Sequence, residues 1–162
     1  IIVSYKNQQL YMEKKMNNKG FSLVELIIVV AIMAVLIGVL APAYLQYVEK
    51  SKKTADCTTI GSIMDAIEVV AADPAITWAA GSANAISVTV NVSGTASTIS
   101  GGPATDVAKI VDMAGAQMTS GWGAFSFSAT KDTNGFVEFT ISSGPSKTDI
   151  ETISKALANR FE

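Results

Sequence analysis

The stretch KGFSLVELIIVVAIMAVLIGVLAPAYL, Lys19–Leu45, decides how this 162-residue chain is read. From Leu26 to Leu45 it carries no charge, and its one strong hydrogen-bonding side chain is the Tyr44 hydroxyl. About twenty apolar residues carry a helix across the hydrocarbon core of a bilayer, and a helix satisfies its own backbone there. The run is too long for the apolar core of an ordinary secretory signal, and the helical pattern continues beyond it, although a plain signal anchor has the same hydropathy. Lys14, Lys15 and Lys19 precede it, which favours a cytoplasmic N-terminus and places residues after about 48 outside the cell. Lys50, Lys52 and Lys53 on the far side pull against that orientation. Glu25 stands at the edge of the apolar run. A lone acid at the centre of a membrane helix costs about 2.5–3.5 kcal/mol on insertion scales, and near the interface it can snorkel. Two readings follow: a solvated charge at a helix start, favoured by the dipole, or a carboxylate whose cationic partner comes from another chain. Gly38 and Pro42 are poor helix-interior residues, and Pro42 lacks the amide that would bond Gly38, so a kink or local loosening is expected there.

The run Lys19-Gly20-Phe21-Ser22-Leu23-Val24-Glu25-Leu26, followed by the apolar segment, resembles the processing signature of type IV pilins and the related pseudopilins. It joins a short basic leader, a glycine, an aromatic residue, a glutamate five residues into the mature chain and an apolar helix, and it covers residues 16–48. The resemblance implies that a prepilin peptidase cuts between Gly20 and Phe21 on the cytoplasmic side and that the new Phe21 amine is N-methylated. It implies that Glu25 then pairs with the Phe21 ammonium of a neighbouring subunit. Cleavage creates a cation where the precursor has only an amide, and the pair offsets the desolvation of both groups while setting the axial register. Gly20, without a Cβ, lets a protease approach the backbone. On the same resemblance, the Gly38 to Pro42 stretch unwinds when subunits enter the filament.

The implied organisation is a removed basic leader (1–20), a transmembrane and filament-core helix (21–48) and an extracellular head (49–162) that includes the second half of the long helix. The chain opens on Ile1, and a start at Met12 or Met16 would leave a short basic leader. The implied function is that of a structural pilus subunit serving adhesion, aggregation or twitching. Its partners would be copies of itself, the prepilin peptidase and assembly machinery, and the membrane before assembly. The protein would begin in the cytoplasmic membrane and end on the cell surface. A pseudopilin of a type II secretion or DNA-uptake machine is the neighbouring alternative. A membrane-anchored binding module that never polymerises is the more distant one.

Beyond the apolar run, Val48, Ala55, Ile60, Ile63, Met64, Ile67, Val70 and Ala71 keep helical spacing, and the Asp73-Pro74 step ends it. One helix from about Phe21 to Ala72 would be on the order of 78 Å long. Ile86, Val88, Val90 and Val92 alternate with polar residues as in a half-buried strand. Thr95 to Ser100 reads as a weaker strand. Ala124 to Thr130 and Val137 to Ile141 alternate too, joined by the hairpin signal Asp132-Thr133-Asn134-Gly135. Val107, Ile110, Val111 and Ala114 suggest a short helix. A last helix from about Thr148 to Phe161 would present Ile150, Ile153, Leu157 and Phe161, with Thr148 and Glu151 as a capping box. The expected fold is α+β and type IV pilin-like, with a long N-terminal helix on a small antiparallel sheet and a C-terminal helix.

The chain has no histidine, its carboxylates are scattered, and no enzyme activity, metal or cofactor is expected. The basic excess lies in residues 1–20, so the main body is not expected to bind nucleic acid. Asp132 and Asn134 read as turn formers rather than calcium ligands. The Asn91-Val92-Ser93 sequon falls in an expected strand and reads as accidental. Trp78 and Trp122 read as packing residues. Cys57 is the single cysteine, so the head lacks the C-terminal cysteine pair of the best-known Gram-negative pilins and resembles the disulfide-free pilins of Gram-positive bacteria. Its spacing to Ile60 and Met64 makes it a buried small hydrophobe, with a filament-crosslinking thiol as the alternative.

Overall fold

A computed structural model describes residues 20–162. The leader residues 1–19, with Met12 and Met16, lie outside the described residues. The chain divides into two compact units, one running through Ala41 and the other Pro42–Glu162. Helix α1, Leu23–Ala72, contributes residues to both.

In the first unit every side chain from Phe21 to Ala41 is exposed. The helix continues without interruption through Gly38 and Pro42. Proline forfeits a single amide bond, and the flanking Ala41 and Ala43 are the strongest of helix formers.

The second unit is built on a four-stranded antiparallel sheet in the order β2-β1-β3-β4. Its strands are β1 (Ile86–Val90), β2 (Thr98–Ser100), β3 (Phe125–Lys131) and β4 (Val137–Ser143). The alternation that marks them in sequence is the alternation of faces: Ile86, Val88 and Val90 of β1 and Phe125, Phe127 and Ala129 of β3 all point inward. Register pairs Val88 with Phe127 on one side and with Ile99 on the other. The second half of α1 supplies Cys57, Ile60, Ile63, Met64, Ile67 and Val70 to the same core. Phe161 stands edge-on to Phe125 and Phe127, with ring centroids 5.8 and 5.9 Å away. Contacts of this kind add about 0.5–1.5 kcal/mol each beyond area burial. Trp78 is buried with its indole N–H on the Asn84 carbonyl at 2.8 Å. Trp122 is half-buried beneath Lys53.

Several expectations need correction. The weaker strand is only Thr98–Ser100, because pairing with β1 extends no further than Thr89 opposite Thr98. The central helix α2 is Ala104–Ile110, and Val111 is already extended, so Ala114 lies beyond it. The single C-terminal helix is two short ones, α3 (Lys147–Glu151) and α4 (Lys155–Ala158). The capping box is Ser146 with Asp149, one turn earlier than Thr148 with Glu151. Ser154 then takes an extended conformation and accepts the Leu157 amide at 3.3 Å, capping α4 and breaking the run. Phe161 follows α4 and bridges Phe139 of β4.

The hairpin forms at Asp132-Thr133-Asn134-Gly135. Asp132 Oδ1 accepts the amides of Asn134 at 2.9 Å and Phe136 at 2.8 Å, and Gly135 supplies a φ of 94°. Slight desolvation raises the Asp132 carboxyl, but the hydrogen bonds from Asn134, Phe136 and Gly135 together hold it below the usual aspartate value. The Asn91 amide group donates to the Ala96 carbonyl at 2.7 Å, tying the sequon asparagine into the loop after β1 rather than into a strand.

Candidate assembly site

Ser22 and Glu25 start α1 by a local exchange of hydrogen bonds. The Ser22 amide donates to Glu25 Oε2 at 3.0 Å, and Ser22 Oγ accepts the Val24 amide at 3.3 Å. The Ser22 carbonyl takes the Leu26 amide at 3.2 Å, the first bond of the helix. Within one chain, then, Glu25 closes half of a capping box and its charge sits at the positive end of the helix dipole. In the isolated chain Glu25 is an exposed charge at the helix start. The bond uses one carboxylate oxygen at an exposed helix end, where a stronger cationic donor can compete for it.

Gly20, Phe21 and Glu25 are gathered at that end, and the Phe21 side chain is 91% exposed. The apolar window that follows has a mean hydropathy of 3.1 and no buried residue, so α1 is long and apolar enough to cross a membrane through this stretch, while its second half belongs to the core of the head. A helix apolar on all sides is stable only where lipid or other helices cover it. Gly38 and Pro42 lie in the same exposed stretch, and a Cβ added at Gly38 would meet open space. Among the described residues no group of three or more histidine, cysteine or acidic side chains is placed to hold a metal.

One polar anchor in the head escaped the sequence reading. Asp56 is 1% exposed; its Oδ1 accepts the Thr119 amide at 2.8 Å and the Thr119 hydroxyl at 3.0 Å, and its Oδ2 accepts the Ser120 amide at 3.0 Å. Two turns earlier, Glu49 Oε1 accepts the Gly121 amide at 2.7 Å. These two carboxylates fasten the 119–121 loop to α1. The sequence signal was present, since Asp56 precedes Ile60, Ile63, Ile67 and Val70 at alternating spacings of four and three and so lies on the apolar stripe. Next to it, burial and then the Asp56 charge push the Cys57 thiol up from 9.0 to about 11. That is the behaviour of an inert, buried cysteine.

Residues 15–41 match the prokaryotic N-terminal methylation motif. The chain is 35% identical over 77 residues to fimbrial protein EcpC of Eikenella corrodens, an alignment covering 48% of this chain and 50% of that protein. The chain thus spans half the length of this curated relative. No solved structure matches it. The methylation motif at residues 15–41, the exposed membrane-length apolar helix and the α+β head together make this chain similar to type IV pilin-like prepilins.

Proposed function

We propose that the chain is a structural subunit of a type IV pilus. The observation that carries this reading is the wholly uncovered apolar start of α1 with a single carboxylate, Glu25, at its N-terminal end beside the Gly20-Phe21 junction. A segment of that kind needs cover, which the bilayer supplies to the precursor and the helices of neighbouring subunits supply in a filament. Prepilin peptidase cuts after Gly20, and the Phe21 amine is methylated and stays cationic. It then pairs with Glu25 of another copy, displacing the weaker contact to the Ser22 amide. Residues 21–48 serve first as the membrane anchor and then as the filament core. Residues 49–162 are the displayed head, and the Gly38 to Pro42 stretch is the place where the core helix yields during assembly. The similarity to a fimbrial protein supports the pilus reading.

Glu25→Ala tests this. The variant should be cleaved and accumulate in the membrane while electron microscopy shows surface filaments lost or sharply reduced. Wild-type numbers of filaments from E25A would remove Glu25 from the assembly mechanism, whereas absence of the wild-type chain from surface filaments would favour a membrane-anchored module that does not polymerise.

A further inference from the structure

Lys50, Lys52 and Lys53, just past the apolar run, go against the orientation rule. Their surroundings in the head give them a role. Four charged residues follow Tyr47 in close succession: Glu49, Lys50, Lys52 and Lys53. The fold sorts them. Glu49, the one carboxylate of the group, is half-buried and turned to the head, where it holds the Gly121 amide. Lys53 is also half-buried and lies 5.4 Å from the centre of the Trp122 ring. Lys50 and Lys52 remain exposed, with Tyr44 and Tyr47 67% and 74% exposed just before them. With Glu49 withdrawn, the exposed charges of this band, Lys50 and Lys52, are both cationic and lie beside two exposed tyrosines.

We propose that Tyr44, Tyr47, Lys50 and Lys52 form a collar that binds the anionic phospholipid headgroups of the outer leaflet and fixes the depth of the precursor before assembly. This rests on the reading of the precursor as membrane-held. The geometry suits a bilayer. At 1.5 Å per residue, Lys50 and Lys52 stand roughly 8 and 10 Å beyond Leu45, the end of the apolar run. The headgroup layer on each side of the hydrocarbon core is about 5–8 Å deep, and lysine stems reach back toward it while keeping the ammonium in water. Tyr44 and Tyr47 are spaced i, i+3, and Lys50 follows Tyr47 at the same spacing, so Tyr47 and Lys50 are neighbours on the helix surface. Phosphate headgroups complement the two charges left outward, and the carboxylate that would repel them has been drawn away.

The full chain, reconstituted in mixed phosphatidylcholine and phosphatidylglycerol vesicles, tests this with spin-labelled lipids that report which headgroup is enriched beside the protein. Wild type should favour phosphatidylglycerol over phosphatidylcholine more strongly than K50Q/K52Q by roughly thirtyfold, about fivefold for each of the two lysines at an anionic surface. The excess should collapse in molar salt. The leader lysines are present in both proteins and cancel in the comparison, and K155Q should behave as wild type. Equal selectivity in wild type and K50Q/K52Q, with both resistant to carbonate extraction, would overturn the collar alone. Release of wild type by carbonate would instead overturn the membrane-held precursor, and the collar with it.

Discussion

Replacing Asp56 by alanine removes a carboxylate that receives three hydrogen bonds from one short loop. Thr119 is exposed, so its amide and hydroxyl regain water when the acceptor goes. Ser120 is 9% exposed, and its amide is left without a partner. A stranded buried donor costs about 1–3 kcal/mol, and a net hydrogen bond to a charged group contributes about 1.5–3 kcal/mol. With the two Thr119 donors discounted for rehydration, D56A should lose about 2–4 kcal/mol. For a folded unit of this size that is a fall in Tm on the order of 10 °C. D56N keeps an acceptor for Thr119 but points an NH2 at the Ser120 amide, so it should also destabilise, by about 1–3 kcal/mol. Thermal and urea unfolding of the detergent-solubilised full chain, followed by near-ultraviolet circular dichroism of Trp78 and Trp122, reads the difference. If D56A and D56N both unfold within about 0.5 kcal/mol of wild type, the 119–121 loop is not held by this carboxylate and the reasoning fails.

Two further outcomes follow from the packing. Cys57 should resist alkylation at pH 8 in the folded chain and react readily in urea. Because folding raises its pKa from 9.0 to about 11, its contribution to stability is full below pH 9 and fades as pH rises through the folded value, which unfolding measured across that window reports. Gly144 has a φ of 109°, and a Cβ there would lie 2.8 Å from a Phe125 ring carbon and 2.9 Å from the Ala124 carbonyl oxygen. G144A should therefore cost about 1–3 kcal/mol and loosen the β3–β4 pairing, seen as faster amide exchange along both strands. Exchange unchanged from wild type would show that the turn absorbs the substitution.

The parts of the fold that were legible in sequence are those set by neighbours in the chain. Ile86, Val88 and Val90 alternate because a strand turns successive side chains to opposite faces, and the Asp132 turn closes on donors two and four residues away. The C-terminal region was misread because Ile150, Ile153, Leu157 and Phe161 keep helical spacing across a break that Ser154 imposes. Periodicity reports which residues face the core; local side-chain competition for the backbone decides whether the helix between them continues. Asp56 was passed over because its partners are 63 and 64 residues away, and nothing near it in sequence announces them. The short span of β2 likewise depends on where β1 ends. The methylation motif at residues 15–41 was legible for the opposite reason: it is carried by contiguous residues. Glu25 falls between these cases, since its bond to the Ser22 amide is local and a partner on another chain is not.

The central claim is that Gly20 is a cleavage point and that Phe21 becomes the cation Glu25 is placed to meet. Intact-mass and N-terminal fragment analysis of the principal subunit from filaments sheared off the cell surface tests it most directly. The account predicts a chain beginning at Phe21 and heavier by one methyl group on its terminal nitrogen. A filament subunit that retains Gly20 and the residues before it would contradict it.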